Sequence, residues 1–139
     1  MSNLSQQFVF QINTGTPAVK SVGIPSTAVG LNGALLFYSD PLKGDGYYNT
    51  ADGLHTTSYT VVPSFQGTCT MQASLAVNPS DTDWFDVDNT SINYNGGTVP
   101  LTTTTNYVNF TGNFVWVRAK VQRAGVLPLG QLLFINYNH

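Results

Sequence analysis

A single run of residues decides the fold: Gly67-Thr-Cys-Thr-Met-Gln-Ala-Ser-Leu-Ala-Val77. Its side chains alternate along the chain, so that one face carries Cys69, Met71, Ala73, Leu75 and Val77 and the other carries Thr68, Thr70, Gln72 and Ser74. A period of two is typical of a β-strand with one face on a core and the other turned away from it. The run therefore predicts a strand of a sheet that covers a hydrophobic core.

A second alternating run lies near the C-terminus. Residues 114–121 place Val115, Val117, Ala119 and Val121 on one face, and Phe114, Trp116, Arg118 and Lys120 on the other. Shorter strand-like runs, separated by turn residues, occupy 8–13, 58–62, 84–87, 91–94, 102–110 and 131–137, and the short apolar runs within 18–37 predict one or two more strands. Together these runs predict an all-β chain, an antiparallel, jelly-roll-like β-sandwich of about eight strands with little or no helix.

The composition agrees with strands and disfavours helices. Only 9% of the 139 residues are charged, against about 25% in ordinary domains. Glutamate, which solvates helix surfaces, is absent. The length predicts one domain over residues 1–139. Within it we expect a flexible N-terminal arm at 1–7 and a long polar loop at 39–57, since neither segment shows a strand pattern. A short hairpin within 39–57 is the open alternative for that segment.

Few side chains in the sequence can support catalysis. His55 falls in the predicted polar loop and is expected to be solvated, and one cysteine with two distant histidines cannot build a zinc site. We therefore predict no catalytic residue, no cofactor, no metal and no enzymatic activity. Asp81 and Asp83 are turn formers in this interpretation. A calcium site formed by Asp81, Asp83 and Asp86 is the open alternative, although the spacing does not match a calcium loop.

Charge and hydropathy also restrict the partners. The five cations are scattered and the net charge is −2, which predicts no nucleic-acid binding. No apolar run approaches the roughly 18 residues of a membrane span, and no secretory signal is visible, which predicts a chain made in the cytoplasm with no membrane partner.

Several aromatic and apolar residues are candidates for contacts with other chains. The outer side of the strand 114–121 combines large aromatic rings with cations, as protein interfaces do. The segment 124–130 is apolar where a free loop is polar. The candidate interface residues are Phe114, Trp116, Arg118, Val126, Leu127, Leu129, Tyr47 and Tyr48. Two alternatives stay open: Trp116 packs under a loop of its own chain, and the apolar segment covers the molecule's own edge.

Three segments resemble a known family. They are Met71-Gln-Ala-Ser-Leu75, Trp84-Phe-Asp-Val87 and Phe110-Thr-Gly-Asn-Phe-Val-Trp-Val-Arg-Ala119. Their combination resembles small β-sandwich virion structural proteins of tailed bacteriophages, of the type found in phages of marine bacteria and cyanobacteria. The resemblance covers roughly residues 66–139. It implies a capsid decoration or cement protein, or a neck or tail component, without enzymatic activity.

The resemblance also implies partners and a location. The expected partners are the chain itself, as a homo-oligomer with a trimer favoured, and the major capsid protein or other virion proteins. The expected location is the virion, assembled in the cytoplasm of the bacterial host. The alternative function is a carbohydrate-binding module for host-surface recognition, with Tyr47, Tyr48, Trp84 and Trp116 as stacking platforms and the aspartate cluster as polar partners.

Overall fold

The computed structural model describes residues 5–12, 19–25, 35–44, 53–94, 100–123 and 131–138. These residues form an antiparallel, jelly-roll-like β-sandwich, as predicted. The strands are β1 (Ser5–Gln7), β2 (Phe10–Ile12), β3 (Val19–Ser21), β4 (Leu36–Tyr38), β5 (Leu42–Lys43), β6 (Leu54–Val61), β7 (Gly67–Ser74), β8 (Phe85–Asp86), β9 (Ile92–Asn93), β10 (Thr104–Thr111), β11 (Trp116–Arg123) and β12 (Leu132–Asn138).

Two sheets and a short ribbon contain all of these strands. The four-stranded sheet has the order β1-β12-β6-β10. The six-stranded sheet has the order β4-β11-β7-β8, with β5 also paired to β11 and β9 to β7. Strands β2 and β3 pair with each other. The described residues thus hold more and shorter strands than the pattern predicts. Their one helical element is a 3-10 turn at Asp81–Asp83, and none of their helices is long and apolar enough to span a membrane.

The two alternating runs become neighbouring strands. β7 pairs with β11 from Gly67 opposite Arg123 to Ser74 opposite Trp116. Their inward faces are fully buried, and consist of Cys69, Met71, Ala73, Val117, Ala119 and Val121. The prediction that Leu75 and Val77 share this face is wrong, because the chain leaves the sheet after Ser74. These two side chains are 65% and 71% exposed.

Aromatic rings fill much of the core between the sheets. The fully buried ones include Phe8, Phe10, Phe37, Tyr59, Phe65 and Tyr137. Burying one such side chain stabilises a fold by roughly 1.5–3 kcal/mol, provided that its polar atoms find partners. The Tyr59 hydroxyl, for example, donates to the backbone oxygen of Thr90 at 3.0 Å.

Two predicted irregular segments contain strands instead. Residues 5–7 of the expected flexible arm form β1, which pairs with residues 136–138 of β12. The expected loop at 39–57 contains β5 and the start of β6, and residues 45–52 lie outside the described part. The strand at 54–57 escapes prediction because its inward residues, His55 and Thr57, are polar types, whereas its outward residue Leu54 is apolar.

Candidate functional site

The outer face of the six-stranded sheet carries a row of aromatic side chains and an arginine. We call Tyr38, Arg118, Trp84 and Trp116 the aromatic–arginine row. The guanidinium carbon of Arg118 lies 4.1 Å from the centre of the Tyr38 ring and 4.3 Å from that of the Trp84 ring. Arg118 also donates from Nε to Oε1 of Gln72 at 2.8 Å. The arginine is therefore held between two rings and fixed by a hydrogen bond.

The register of the sheet explains how the row is assembled. Alternation along β11 turns Trp116, Arg118 and Lys120 outward, as the sequence predicts. β4 pairs with β11 on one side, which brings Tyr38 beside Lys120. Trp84 directly precedes β8 and reaches Arg118 from the opposite side. Burial lowers the pKa of Arg118, but an arginine side chain stays protonated in proteins. The row therefore carries a positive charge between its rings.

The Trp116 ring packs partly against its own chain and lies partly at the surface. Its indole Nε1 donates to the backbone oxygen of Val77 at 2.9 Å, so the turn after β7 covers one side of the ring. The rest of the ring lines a groove of about 390 Å³ together with Pro41, Val77, Asn78, Pro79, Asp81, Trp84 and Arg118. This agrees in part with the alternative in which Trp116 packs against its own loop.

The prediction that Phe114 shares the outer face with Trp116 is wrong. Phe114 is half-buried and packs against the core. Its ring centre lies 5.7 Å from that of His55 and 5.9 Å from that of Phe85. The pairing of β11 begins only at Trp116, so the strand alternation does not extend back to residue 114.

His55 is also placed differently from the prediction of a solvated loop histidine. It lies on β6 and is only 2% exposed. Its Nδ1 is 2.6 Å from the Tyr137 hydroxyl, and its Nε2 is 2.7 Å from the Gly112 backbone oxygen. Because the Gly112 oxygen can only accept, Nε2 carries the proton and donates it. The ring stacks on Phe110 with 4.7 Å between centres, which makes His55 a structural core residue.

An open cleft lies above His55 at one end of the sandwich. Its volume is about 820 Å³, and Leu54, His55, Phe85, Phe110 and Phe114 form its apolar and aromatic lining. Its polar lining comprises Thr56, Asp86, Asp88, Asn89, Asn109 and Thr111. Sequence reasoning missed this cleft, because its residues come from separate strands and only the tertiary fold brings them together.

Two aspartates of the possible calcium site, Asp83 and Asp86, have separate partners. Asp83 caps its own turn, because its Oδ2 accepts from the Ser80 backbone N–H at 2.8 Å. Asp86 forms an ion pair with Lys120, at 2.8 Å from Nζ to Oδ1. Within the described ranges, no three His, Cys, Asp or Glu side chains lie together as potential metal ligands. The five other candidate interface residues lie outside the described part: Tyr47, Tyr48, Val126, Leu127 and Leu129.

The Asp86–Lys120 pair predicts a small dependence of stability on pH. The hydrogen bond from Lys120 lowers the pKa of Asp86, while partial burial opposes this shift and the Gln72 bond adds to it. A pKa that is lower in the folded state stabilises the fold above the unfolded value of about 4, and this contribution is lost as the pH falls through the folded value.

We therefore expect Asp86→Asn to cost less than about 1 kcal/mol at pH 6, as exposed pairs do. This cost should shrink steadily below about pH 4. Urea unfolding at several pH values measures it. A difference from wild type that stays constant down to the lowest pH contradicts this assignment.

No protein-family model matches the chain, and no curated protein sequence matches it. Among solved structures, it is similar to a family 29 carbohydrate-binding module from Piromyces equi, at 12% identity and a TM-score of 0.48, over 99% of this chain and 91% of that chain. It is similar to the K1 cleaved adhesin domain of Lys-gingipain from Porphyromonas gingivalis W83, at 12% identity and a TM-score of 0.49, over 99% and 95%. It is also similar to a carbohydrate-binding module of Cellvibrio mixtus lichenase 5A, at 14% identity and a TM-score of 0.42, over 99% of this chain and 96% of that chain. These likenesses concern the β-sandwich fold alone.

Proposed function

We propose that the chain is a non-enzymatic structural protein of a tailed-phage virion, which attaches to a neighbouring virion protein through the aromatic–arginine row. The single observation that carries the proposal is the stack of Tyr38, Arg118 and Trp84 on an outer sheet face. Tryptophan, tyrosine and arginine are the residues that dominate binding energy at protein interfaces.

The stack of Tyr38, Arg118 and Trp84 is preorganised for binding. A free arginine loses much rotamer freedom on binding, which costs about 0.5–1.5 kcal/mol for an immobilised side chain. Here the hydrogen bond from Arg118 to Gln72 and the two flanking rings already restrict that freedom. Gln72 is held in turn, since its Nε2 donates to Oδ1 of Asp86 at 2.9 Å. This preorganisation lowers the entropy cost of binding. It therefore favours the interpretation of the row as a docking surface over that of a chance cluster of exposed rings.

The location of the family-like segments supports the same proposal. The segment 71–75 runs along β7 and out of its end, 84–87 contains β8, and 110–119 leads into β11. Strands β8 and β11 both pair with β7. All three segments therefore contribute to the six-stranded sheet or border it, although residues 110 and 111 belong to β10 of the other sheet. Trp84, Trp116 and Arg118 of the row belong to these segments.

The proposal is tested with phage particles that carry row variants. We expect Arg118→Lys to reduce the copies of the chain in purified particles at least tenfold, because an ammonium keeps the charge but cannot stack flat between two rings. Quantitative mass spectrometry measures the copy number, and cryo-electron microscopy of wild-type particles locates the row against its neighbour. Lys20→Ala is the matched control, because Lys20 is a cation paired with Asp40 away from the row.

Normal incorporation of the Arg118→Lys chain, or wild-type particles without the chain, contradicts the proposal. A thermal melt of the purified variant tests whether it is folded. This control distinguishes a loss of incorporation caused by misfolding from one caused by lost docking.

A carbohydrate-binding function is the second candidate, and the end cleft favours it. Phe85 is 41% exposed there, beside the amides of Asn89 and Asn109. A ring beside neutral hydrogen-bonding groups suits a sugar. In the row, by contrast, Arg118 already covers one face of Trp84. Binding of a cello- or laminari-oligosaccharide by the isolated chain, lost in Phe85→Ala but kept in Arg118→Lys, favours this candidate over the first.

A further inference from the structure

Strand β10 differs from every other sheet edge in the described part of the chain. It is eight residues long and pairs there only with β6, from Thr104 opposite Val61 to Thr111 opposite Leu54, without a bulge. The opposite edge of the same sheet, β1, has three residues. The six-stranded sheet is bordered by strands of two or three residues, β4, β5, β8 and β9. Short edges resist pairing with other chains, whereas a long regular edge offers a row of N–H and C=O groups.

The sequence of β10 also lacks the residues that normally protect an edge. Proteins place lysine, proline or a bulge on exposed edges to prevent pairing. The sequence of β10 is Thr-Thr-Asn-Tyr-Val-Asn-Phe-Thr, which contains none of these. Its outward side chains, Thr105, Tyr107, Asn109 and Thr111, are exposed and uncharged, and Tyr107 is 68% exposed.

The absence of charge extends across the whole four-stranded sheet. None of its strands, β1, β6, β10 and β12, contains an Asp, Glu, Lys or Arg. Two copies can therefore bring these sheets together without like-charge repulsion and without removing a charge from water. A charged peptide or nucleic acid gains no electrostatic attraction here, so the charge pattern favours an equally neutral strand as the occupant.

We propose that the occupant is β10 of a second copy, paired antiparallel across a two-fold axis, so that two four-stranded sheets join into one of eight strands. This inference goes beyond the proposed function, and it gives the homo-oligomer that the resemblance implies the form of a dimer in place of the favoured trimer. An edge that pairs with itself forms a closed dimer. Head-to-tail addition would need β10 to pair with β1, and three residues of β1 cannot satisfy the eight of β10.

The two-fold axis restricts which residues of the two β10 strands can lie opposite each other. An axis perpendicular to the sheet keeps each outward side chain outward in the copy, so one residue of β10 lies opposite its own counterpart. Tyr107 and Val108 are equally near the middle of the strand, and each would pair seven residues. We assign the position to the outward-facing Tyr107, which brings residues 104–110 opposite 110–104 of the copy. Thr105 of each copy then lies opposite Asn109 of the other, with Cβ atoms about 5 Å apart.

A charge-swap experiment on the full chain tests both the dimer and its register. In sedimentation velocity we expect the wild type to be a dimer of two 15.0 kDa chains at tens of micromolar. The double variant Thr105→Lys with Asn109→Lys sets lysine opposite lysine twice, and should weaken the dimer at least tenfold. The double variant Thr105→Lys with Asn109→Asp sets lysine opposite aspartate twice, and should restore it. Gln122→Lys, at an exposed strand position of the other sheet, is the control.

Each outcome decides the inference. A wild-type monomer, a trimer, or equal effects of the two double variants overturns it, and thermal melts verify that all variants are folded. A monomer that still enters particles through the row overturns this inference alone. A dimer that never enters particles overturns the proposed virion function alone.

Discussion

Replacing His55 by alanine is expected to lower the free energy of unfolding by about 4 kcal/mol. The substitution removes a ring that stacks between Phe110 and Tyr137 in the core. It also leaves the Tyr137 hydroxyl and the Gly112 carbonyl, now 2.6 and 2.7 Å from the imidazole, without this partner. A cavity together with lost buried hydrogen bonds at one position is among the few mechanisms that produce losses of this size.

Urea denaturation with a constant m-value measures this loss. Tyr137→Phe is the matched control, because it deletes only the hydroxyl at the other end of the same hydrogen bond, and should cost about 1–2 kcal/mol. If His55→Ala costs no more than Tyr137→Phe, the imidazole is not a packed core group and the placement of His55 is wrong.

The substitution Gly112→Ala has the second-largest expected effect, a loss of about 3 kcal/mol. A Cβ at this position would lie 2.3 Å from Cζ and 2.6 Å from Cε2 of Phe114. The residue also has a φ of 151°, which side-chain-bearing residues rarely adopt. Phe114 would have to leave its place over Gly112, and with it the contacts to His55 and Phe85 that form the floor of the end cleft.

A double-mutant cycle separates the two causes of this loss. In a Phe114→Ala background, Gly112→Ala no longer meets the ring, so its cost should fall to the backbone contribution of about 1–2 kcal/mol. Asn113→Ala, at the exposed neighbouring position, should change stability by less than about 0.5 kcal/mol. Additive costs of the two substitutions would show that Phe114 does not cover Gly112.

The two proposed surfaces are compatible with each other in one assembly. The aromatic–arginine row lies on the outer face of the six-stranded sheet, whereas β10 lies at the edge of the four-stranded sheet. A dimer joined through β10 therefore keeps both copies of the row uncovered. Such a dimer presents two docking surfaces to neighbouring chains, and two linked contacts bind more tightly than one when both can be engaged.

Strand periodicity predicted part of this site correctly. The alternation in 114–121 placed Trp116, Arg118 and Lys120 on the outer face, as the structure does. It failed at Phe114 and at Leu75, which lie just beyond the paired residues of β11 and β7. A period of two indicates faces only while the strand stays in its sheet, and the sequence does not mark where pairing stops.

The rings that flank Arg118 could not be predicted from the sequence. Tyr38 and Trp84 lie far from it along the chain, and they meet it only because β4 and β8 flank the β11–β7 pair. His55 shows the same limit in the core. A histidine within a largely polar stretch indicates a solvated loop, and only the convergence of Gly112 and Tyr137 on its ring nitrogens makes its burial favourable.

The sequence by itself determined an antiparallel all-β sandwich, because alternation and a shortage of charged residues act locally and are readable from neighbouring positions. The tertiary structure alone decided which rings flank Arg118, which histidine is buried and which strand ends a sheet. These depend on strand order, and strand order is fixed by contacts between residues distant in the chain, whose energies no local pattern records.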